Sequence, residues 1–301
     1  MRSFRFPAMG TGVHVLLPAG HGGGIAAVRE LFLDWESRLS RFLPESELSH
    51  LNSEAGRPVV VGELVFDAVG EALDAARATD GAFDPTLLPQ LARIGYAESF
   101  SRMPRSVEPD SSPPRRGGAW RAIALDPSTR TISLPVGCAL DLGGIAKGMA
   151  VDASLDLLGE QGVESALVSA GGDLAVRGTP LDAGPWHVVA GDHRTGQVLP
   201  LSQGALATSG VARRSWDQGG VRRHHLVDPA TGEPASSGLR EVTVAAGSCK
   251  VAEVAATASF VLGAEAGSDL LDRHGLAGRF TRDDGSKVVV GRWPSPIASA
   301  A

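Results

Sequence analysis

The sequence predicts an α+β fold in which helices pack on largely antiparallel sheets. Helix-type and strand-type hydrophobic periods both recur along the chain. The strand-like runs are short and separated by glycine-rich, hairpin-like turns, the pattern of antiparallel neighbours. No GxGxxG follows a strand and opens a helix, so the parallel dinucleotide-binding sheet has no fingerprint here. No repeat of fixed period is visible either.

In chain order, a first strand is expected from Phe4 to Leu17, interrupted by Gly10 and Gly12. A helix follows over Ile25 to Leu39, where Ile25, Val28, Leu31, Phe32, Trp35 and Leu39 share one side. A second helix covers Glu63 to Ala78, and Asp80-Gly81 stops it. Residues 101–119 are rich in Pro, Gly and Ser and read as an exposed loop. Short β-type runs are expected at 120–126, 130–134 and 138–142, then a helix near 146–160. Strands are expected at 165–169, 173–177, 186–190, 224–227 and 242–246. A last long helix spans about 251–262, and a strand pair near 278–291 closes the chain.

Composition narrows the function. A hydrophobic content of 43% against 21% charged residues is ordinary for a globular chain of 301 residues with a sizeable core. The formal net charge of −6 carries no basic footprint, which argues against nucleic acid as a partner. Cys138 and Cys249 stand apart with no CxxC, so disulfide and zinc readings are weak. No run approaches the roughly 18 apolar residues of a membrane span, and no signal-peptide pattern opens the sequence. A cytoplasmic protein is therefore expected, with the far side of a membrane as the alternative. The only lysines are Lys147, Lys250 and Lys287, which makes a lysine inside a motif informative.

Four segments place glycine, carboxylate and hydroxyl close together. DLGGIAKG at 141–148 puts two glycines before a helix, where backbone amides approach an anion and Lys147 meets a phosphate. The same residues also suit a plain strand–turn–helix junction. SAGGDLAVRG at 169–178 reads better as a hairpin whose Asp173 caps backbone amides. HHLVDPATGEPA at 224–235 holds a turn stabilised by Asp228, and His225, facing away from Leu226, is either structural or a proton shuttle. In AEVAATA at 252–258, Glu253 and Thr257 lie four residues apart on one helix face. A carboxylate on so apolar a helix needs a partner, and either a hard cation such as magnesium or an arginine would serve. GAFDPT at 81–86 and AMGTG at 8–12 add Phe83 and Met9 as side chains that pack on flat rings.

MGT at 9–11, SRFLPESELSHLN at 40–52, GAFDPT, DLGGIAKG, AGGD at 170–173, TSG at 208–210, HHLVDPATG at 224–232 and AEVAATA occur in this order. Together they resemble the ApbE family, the FAD:protein FMN transferases, from residue 9 to about 263. The resemblance implies a single ApbE-like domain over 1–301 with a T-fold-like core, in one version of two lobes. It implies metal-dependent cleavage of the FAD pyrophosphate, esterification of FMN to a Thr or Ser hydroxyl of an acceptor protein, and release of AMP. It also implies roles: His225 as the catalytic residue of H-x-x-D-P; Met9, Phe42, Ala82, Phe83, Asp84, Asp141, Lys147, Leu226 and Ala256 as FAD contacts. Gly144 (through its carbonyl), Glu253 and Thr257 would hold magnesium, with manganese or calcium as alternatives. Two positions depart from the pattern: Glu253 stands where many members have aspartate, and Phe42 where some have tyrosine near the adenine. The extra methylene of Glu253 moves its carboxylate by about 1.5 Å, one C–C bond length. An FAD pyrophosphatase releasing FMN and AMP, or a non-catalytic FAD-binding protein, are the competing functions.

Overall fold

The structure, a computed structural model, describes residues 1–104, 106–180, 184–191 and 196–296. The chain divides into two compact units, Met1–Asp34 with Lys147–Gly210 and Gly238–Ala301, and Trp35–Ala146 with Val211–Ser237.

In the first unit, eight strands form one sheet with every neighbouring pair antiparallel. Their order is Arg2–Ala8, Thr11–Leu17, Ala166–Ala170, Asp173–Arg177, Gly204–Gly210, Leu239–Ala246, Ala277–Arg282 and Lys287–Val290. The run expected as one strand from Phe4 to Leu17 is a hairpin. Met9 (φ 52°) and Gly10 (φ 65°) are both left-handed, the two-residue turn whose twist suits antiparallel strands. Gly171 and Gly172 close the next hairpin in the same way, with φ of 68° and 110°. A Cβ on Gly171 would lie 2.7 Å from Thr11 Oγ1, so a side chain there would displace Thr11 as well as strain the left-handed backbone.

Two helices of this unit concern the site. Ala146–Glu160 forms where the sequence places it. The last helix, expected over 251–262, runs from Cys249 to Arg273 and packs on the strands Gly204–Gly210 and Leu239–Ala246. Gly263 interrupts it with φ 82° and ψ 178°, but buried Gly267, Leu270 and Leu271 resume the apolar face beyond. One non-helical residue kinks the helix without ending its burial.

The second unit holds the helix Glu63–Ala78, with the expected bounds, and a three-stranded sheet of Pro58–Val60, Thr131–Ser133 and Ala124–Asp126. Its helix buries Val65, Ala68, Val69, Ala72, Leu73 and Ala76. Two expected β-runs change. Residues Ala119–Ala122 form a 3-10 turn that buries Trp120, and only Ala124–Asp126 is strand. Residues 138–142 are irregular: the Asn52 side chain takes the Leu140 N–H (2.7 Å) and gives its own N–H to the Leu140 carbonyl (2.9 Å). An amide side chain there fills the place a neighbouring strand would take.

The short helices Glu47–Ser53 and Leu88–Arg93 were not legible as periodic segments. Within 101–119 the chain is mostly exposed, but Ser106–Val107 pairs in parallel with Ser215–Gln218; residue 105 lies outside the described residues. The strand expected at 224–227 breaks in the middle. Val221–His224 ends one ribbon, Val227–Asp228 begins another with Glu233–Pro234, and His225 and Leu226 occupy the break. Alternation along a strand therefore does not set the direction of His225.

Candidate active site

In the first unit, Lys147 forms an ion pair with Glu253 and a second with Asp173 at 3.3 Å. Glu253 is 3% exposed, and its other oxygen accepts the Gly148 N–H at 2.7 Å. Asp173, also buried, accepts the Thr208 N–H at 3.0 Å. One helical turn after Glu253, the Thr257 hydroxyl meets Ser209 Oγ at 2.9 Å. Local structure explains the gathering. Lys147 and Gly148 open a helix whose first N–H groups have no partner within it, and a carboxylate suits that end. Asp173 leaves the Gly171-Gly172 hairpin, while Glu253 and Thr257 share a helix face.

The donor set fits a hard divalent cation. One ammonium faces two buried carboxylates, leaving negative charge in a poorly solvated place, with two hydroxyls close by. Among the described residues no three His, Cys, Asp or Glu side chains form a metal-binding group. Magnesium suits such a sparse site, since it takes one or two carboxylates and completes its shell with water and phosphate oxygens. Cys249, fully buried beside this cluster, has its thiol pushed well up by burial, then by Asp173 and Asp152, and stays protonated.

The second unit assembles a different set. Arg41 pairs through Nε with Asp141 Oδ2 (2.6 Å) and donates to the Tyr96 carbonyl (2.9 Å). Its guanidinium lies 4.0 Å from the Phe42 ring centroid and 4.7 Å from that of Tyr96. Tyr96 stacks obliquely on Trp216 (5.5 Å) and meets the His225 ring edge-on (6.4 Å, 74°). Trp216 is anchored by its indole N–H to the Ile94 carbonyl at 2.8 Å. His225 Nδ1 makes a long contact of 3.4 Å with the Arg214 carbonyl, which favours the tautomer with the proton on Nδ1. Burial is the first cause of a raised pKa at Tyr96; Asp141 adds to it and Arg214 and Arg41 oppose it.

The profile of the ApbE family matches residues 9–280. The chain belongs to the ApbE family. A Treponema pallidum protein named FAD:protein FMN transferase is 34% identical over 267 residues, 82% of this chain and 74% of its own length. A Vibrio cholerae protein of the same name is 30% identical over 246 residues, 80% of this chain and 73% of its own. Among solved structures, an ApbE protein of Thermotoga maritima superposes with a TM-score of 0.84 at 27% identity, covering 96% of both chains. The flavin transferase ApbE of Vibrio cholerae gives 0.80 at 26% identity, again over 96% of each. These similarities bear out the α+β, antiparallel ApbE-like fold expected from the sequence.

The residues expected to matter in an ApbE protein fall into three groups. Lys147, Glu253 and Thr257 come together, but the buried partner of Glu253 is Lys147 rather than an arginine. Phe42, Asp141 and His225 share one cluster, and Asp141 also accepts the Gly143 N–H at 2.6 Å. The remainder lie apart from these two clusters in the contacts they make. Asp84 takes the Thr86 N–H (2.7 Å) within its own turn and ties that turn to a second loop through the Gly118 N–H (2.5 Å). Phe83 is buried and Ala82 half-buried beside it. The Leu226 carbonyl accepts the Ala235 N–H at 2.8 Å, and Ala256 is fully buried. Met9 sits in its left-handed turn, and Gly144 lies just before the Ala146–Glu160 helix.

Sequence reasoning missed Asp173 as an ion-pair partner, and also Ser209, Arg41, Tyr96 and Trp216. AGGD and TSG contained the first two. Tyr96 is the single tyrosine of the chain, a weak signal that had no pattern around it.

Proposed function

We propose that this ApbE protein transfers the FMN half of FAD to a Thr or Ser hydroxyl of an acceptor protein, with AMP as the leaving group. The observation that carries the proposal is the buried Lys147–Glu253–Asp173 cluster with the Thr257–Ser209 hydroxyl pair, found in a chain whose relatives bear that name. A divalent cation there would neutralise pyrophosphate charge, the main requirement of phosphoryl transfer. Glu253 and Thr257 are its proposed side-chain ligands. Gly144, in the other unit, is proposed through its carbonyl on the motif alone. Lys147 balances the carboxylates and is proposed to contact a phosphate. Met9, Phe42, Asp141 and the 82–84 turn are proposed FAD contacts.

In the transfer, the acceptor oxygen forms a bond to the FMN phosphorus as the bond from that phosphorus to the bridging oxygen breaks, and AMP leaves with that oxygen. The acceptor proton is assigned to His225 Nε2, the basic nitrogen when Nδ1 carries its proton toward Arg214.

The test uses purified protein, FAD, magnesium and an acceptor domain with a threonine in an Asp-Gly-x-Thr context. Flavin fluorescence on the acceptor band of a denaturing gel, lost with a chelator, is expected. Glu253→Gln should remove it, and His225→Ala should slow it about 10²–10⁴-fold while retaining flavin better. A dark acceptor with FMN and AMP in solution would instead identify a pyrophosphatase.

A further inference from the structure

Asp152 has no place in the reaction described above, yet it is half of a crossed pair of clamps. Its two carboxylate oxygens accept the N–H groups of Cys249 (2.7 Å) and Lys250 (2.9 Å), the first residues of the helix that carries Glu253 and Thr257. In return, Glu253 on that helix accepts the Gly148 N–H at the start of the Ala146–Glu160 helix, on which Asp152 lies. Each helix thus supplies the carboxylate that satisfies the other's unpaired amide end. The ends approach so closely that a Cβ on Gly148 would sit 2.7 Å from Cys249 and Lys250 backbone atoms.

From this we infer that Asp152 is a positioning residue for the cation site: it fixes the axial position and rotation of the Cys249 helix. That sets where Glu253 Oε1 and Thr257 Oγ1 stand relative to Lys147 and Asp173. Burial raises the pKa of Asp152 despite the two amides and Lys250 opposing it, so the site is held at an electrostatic cost. The inference rests on the proposed metal-dependent reading of the Glu253 cluster.

The test measures Mn2+ binding to the intact protein by the loss of the free-ion EPR signal, without FAD or acceptor. Asp152→Asn keeps one acceptor oxygen and Asp152→Ala keeps none. Partners that orient ligands from outside the metal shell are typically worth about 10–100-fold in affinity. The expected order is wild type tightest, Asp152→Asn intermediate and Asp152→Ala weakest, the last by about tenfold or more. In the transfer assay, the magnesium concentration for half-maximal rate should rise in the same order, with the rate recovered at high magnesium. A loss of fold alone would lower the amount of active protein without moving that concentration, and circular dichroism identifies the folded variants. Equal affinity in wild type and Asp152→Asn overturns the inference, and so does equal weakening in Asn and Ala, which would mark a through-space charge effect. Wild-type protein that binds no Mn2+ overturns the metal reading itself, an outcome distinct from the other two.

Discussion

Tyr96 shows how much one side chain gathers: it touches Phe42, Trp216, His225 and the Arg41 guanidinium. Burial disfavours its phenolate, so its folded pKa lies above the ordinary value of 10.0. The neutral phenol therefore contributes stability that is complete below pH 10 and is lost as pH rises through the folded pKa. Because it is the sole tyrosine, tyrosinate absorbance reports it alone. The spectrophotometric midpoint of the native protein should exceed 10 and fall to about 10 in denaturant. A native midpoint at or below 10 would mean that the aromatic cluster is open to water. The thiols are a parallel case: burial, then Asp84, pushes Cys138 to about 11, in keeping with two isolated, unreactive cysteines.

At the scale of elements, the helix Ala146–Glu160 and the helix Cys249–Arg273 meet through Gly148. Gly148→Ala should force the two apart at a cost of about 1–3 kcal/mol. Gly247→Ala, where an added Cβ meets nothing within 4 Å, should stay within about 0.5 kcal/mol. Urea midpoints of the two variants decide it, and equal midpoints would refute the close approach. Glu63–Ala78, whose apolar stripe has a strong period, was legible in the sequence to within a residue, and Ala146–Glu160 was placed as closely with a much weaker one. Elements fixed by contacts distant in sequence were not. Residues 138–142 look like a strand until Asn52 takes their hydrogen bonds; the helix end expected near 262 holds for the segment before Gly263, but the second segment, which buries Leu270 and Leu271, was not foreseen. The site followed the same division. Glu253 and Thr257 share a face by periodicity alone, whereas Asp173 and Arg41 acquire their partners only when distant strands and loops meet.

For the whole molecule, binding and stability are linked. A ligand that binds only the native state adds about 2.7 kcal/mol at one hundred times its Kd. FAD with magnesium should therefore raise the melting temperature by several degrees, more than FAD with a chelator, and Glu253→Gln should abolish the difference between the two. An equal rise with and without the chelator would remove the cation from the flavin site. No helix among the described residues is long and apolar enough to cross a membrane.

The chain order of the eight-stranded sheet has a consequence during synthesis. Thr11–Leu17 must pair with Ala166–Ala170, which a ribosome produces much later, and the sheet is complete only when Lys287–Val290 has emerged. At typical elongation rates the first hairpin waits roughly 7–30 s for its neighbour, with one row of backbone amides and carbonyls unpaired. The nascent hairpin is thus an aggregation-prone edge and a natural client for a chaperone, long before any site exists to protect.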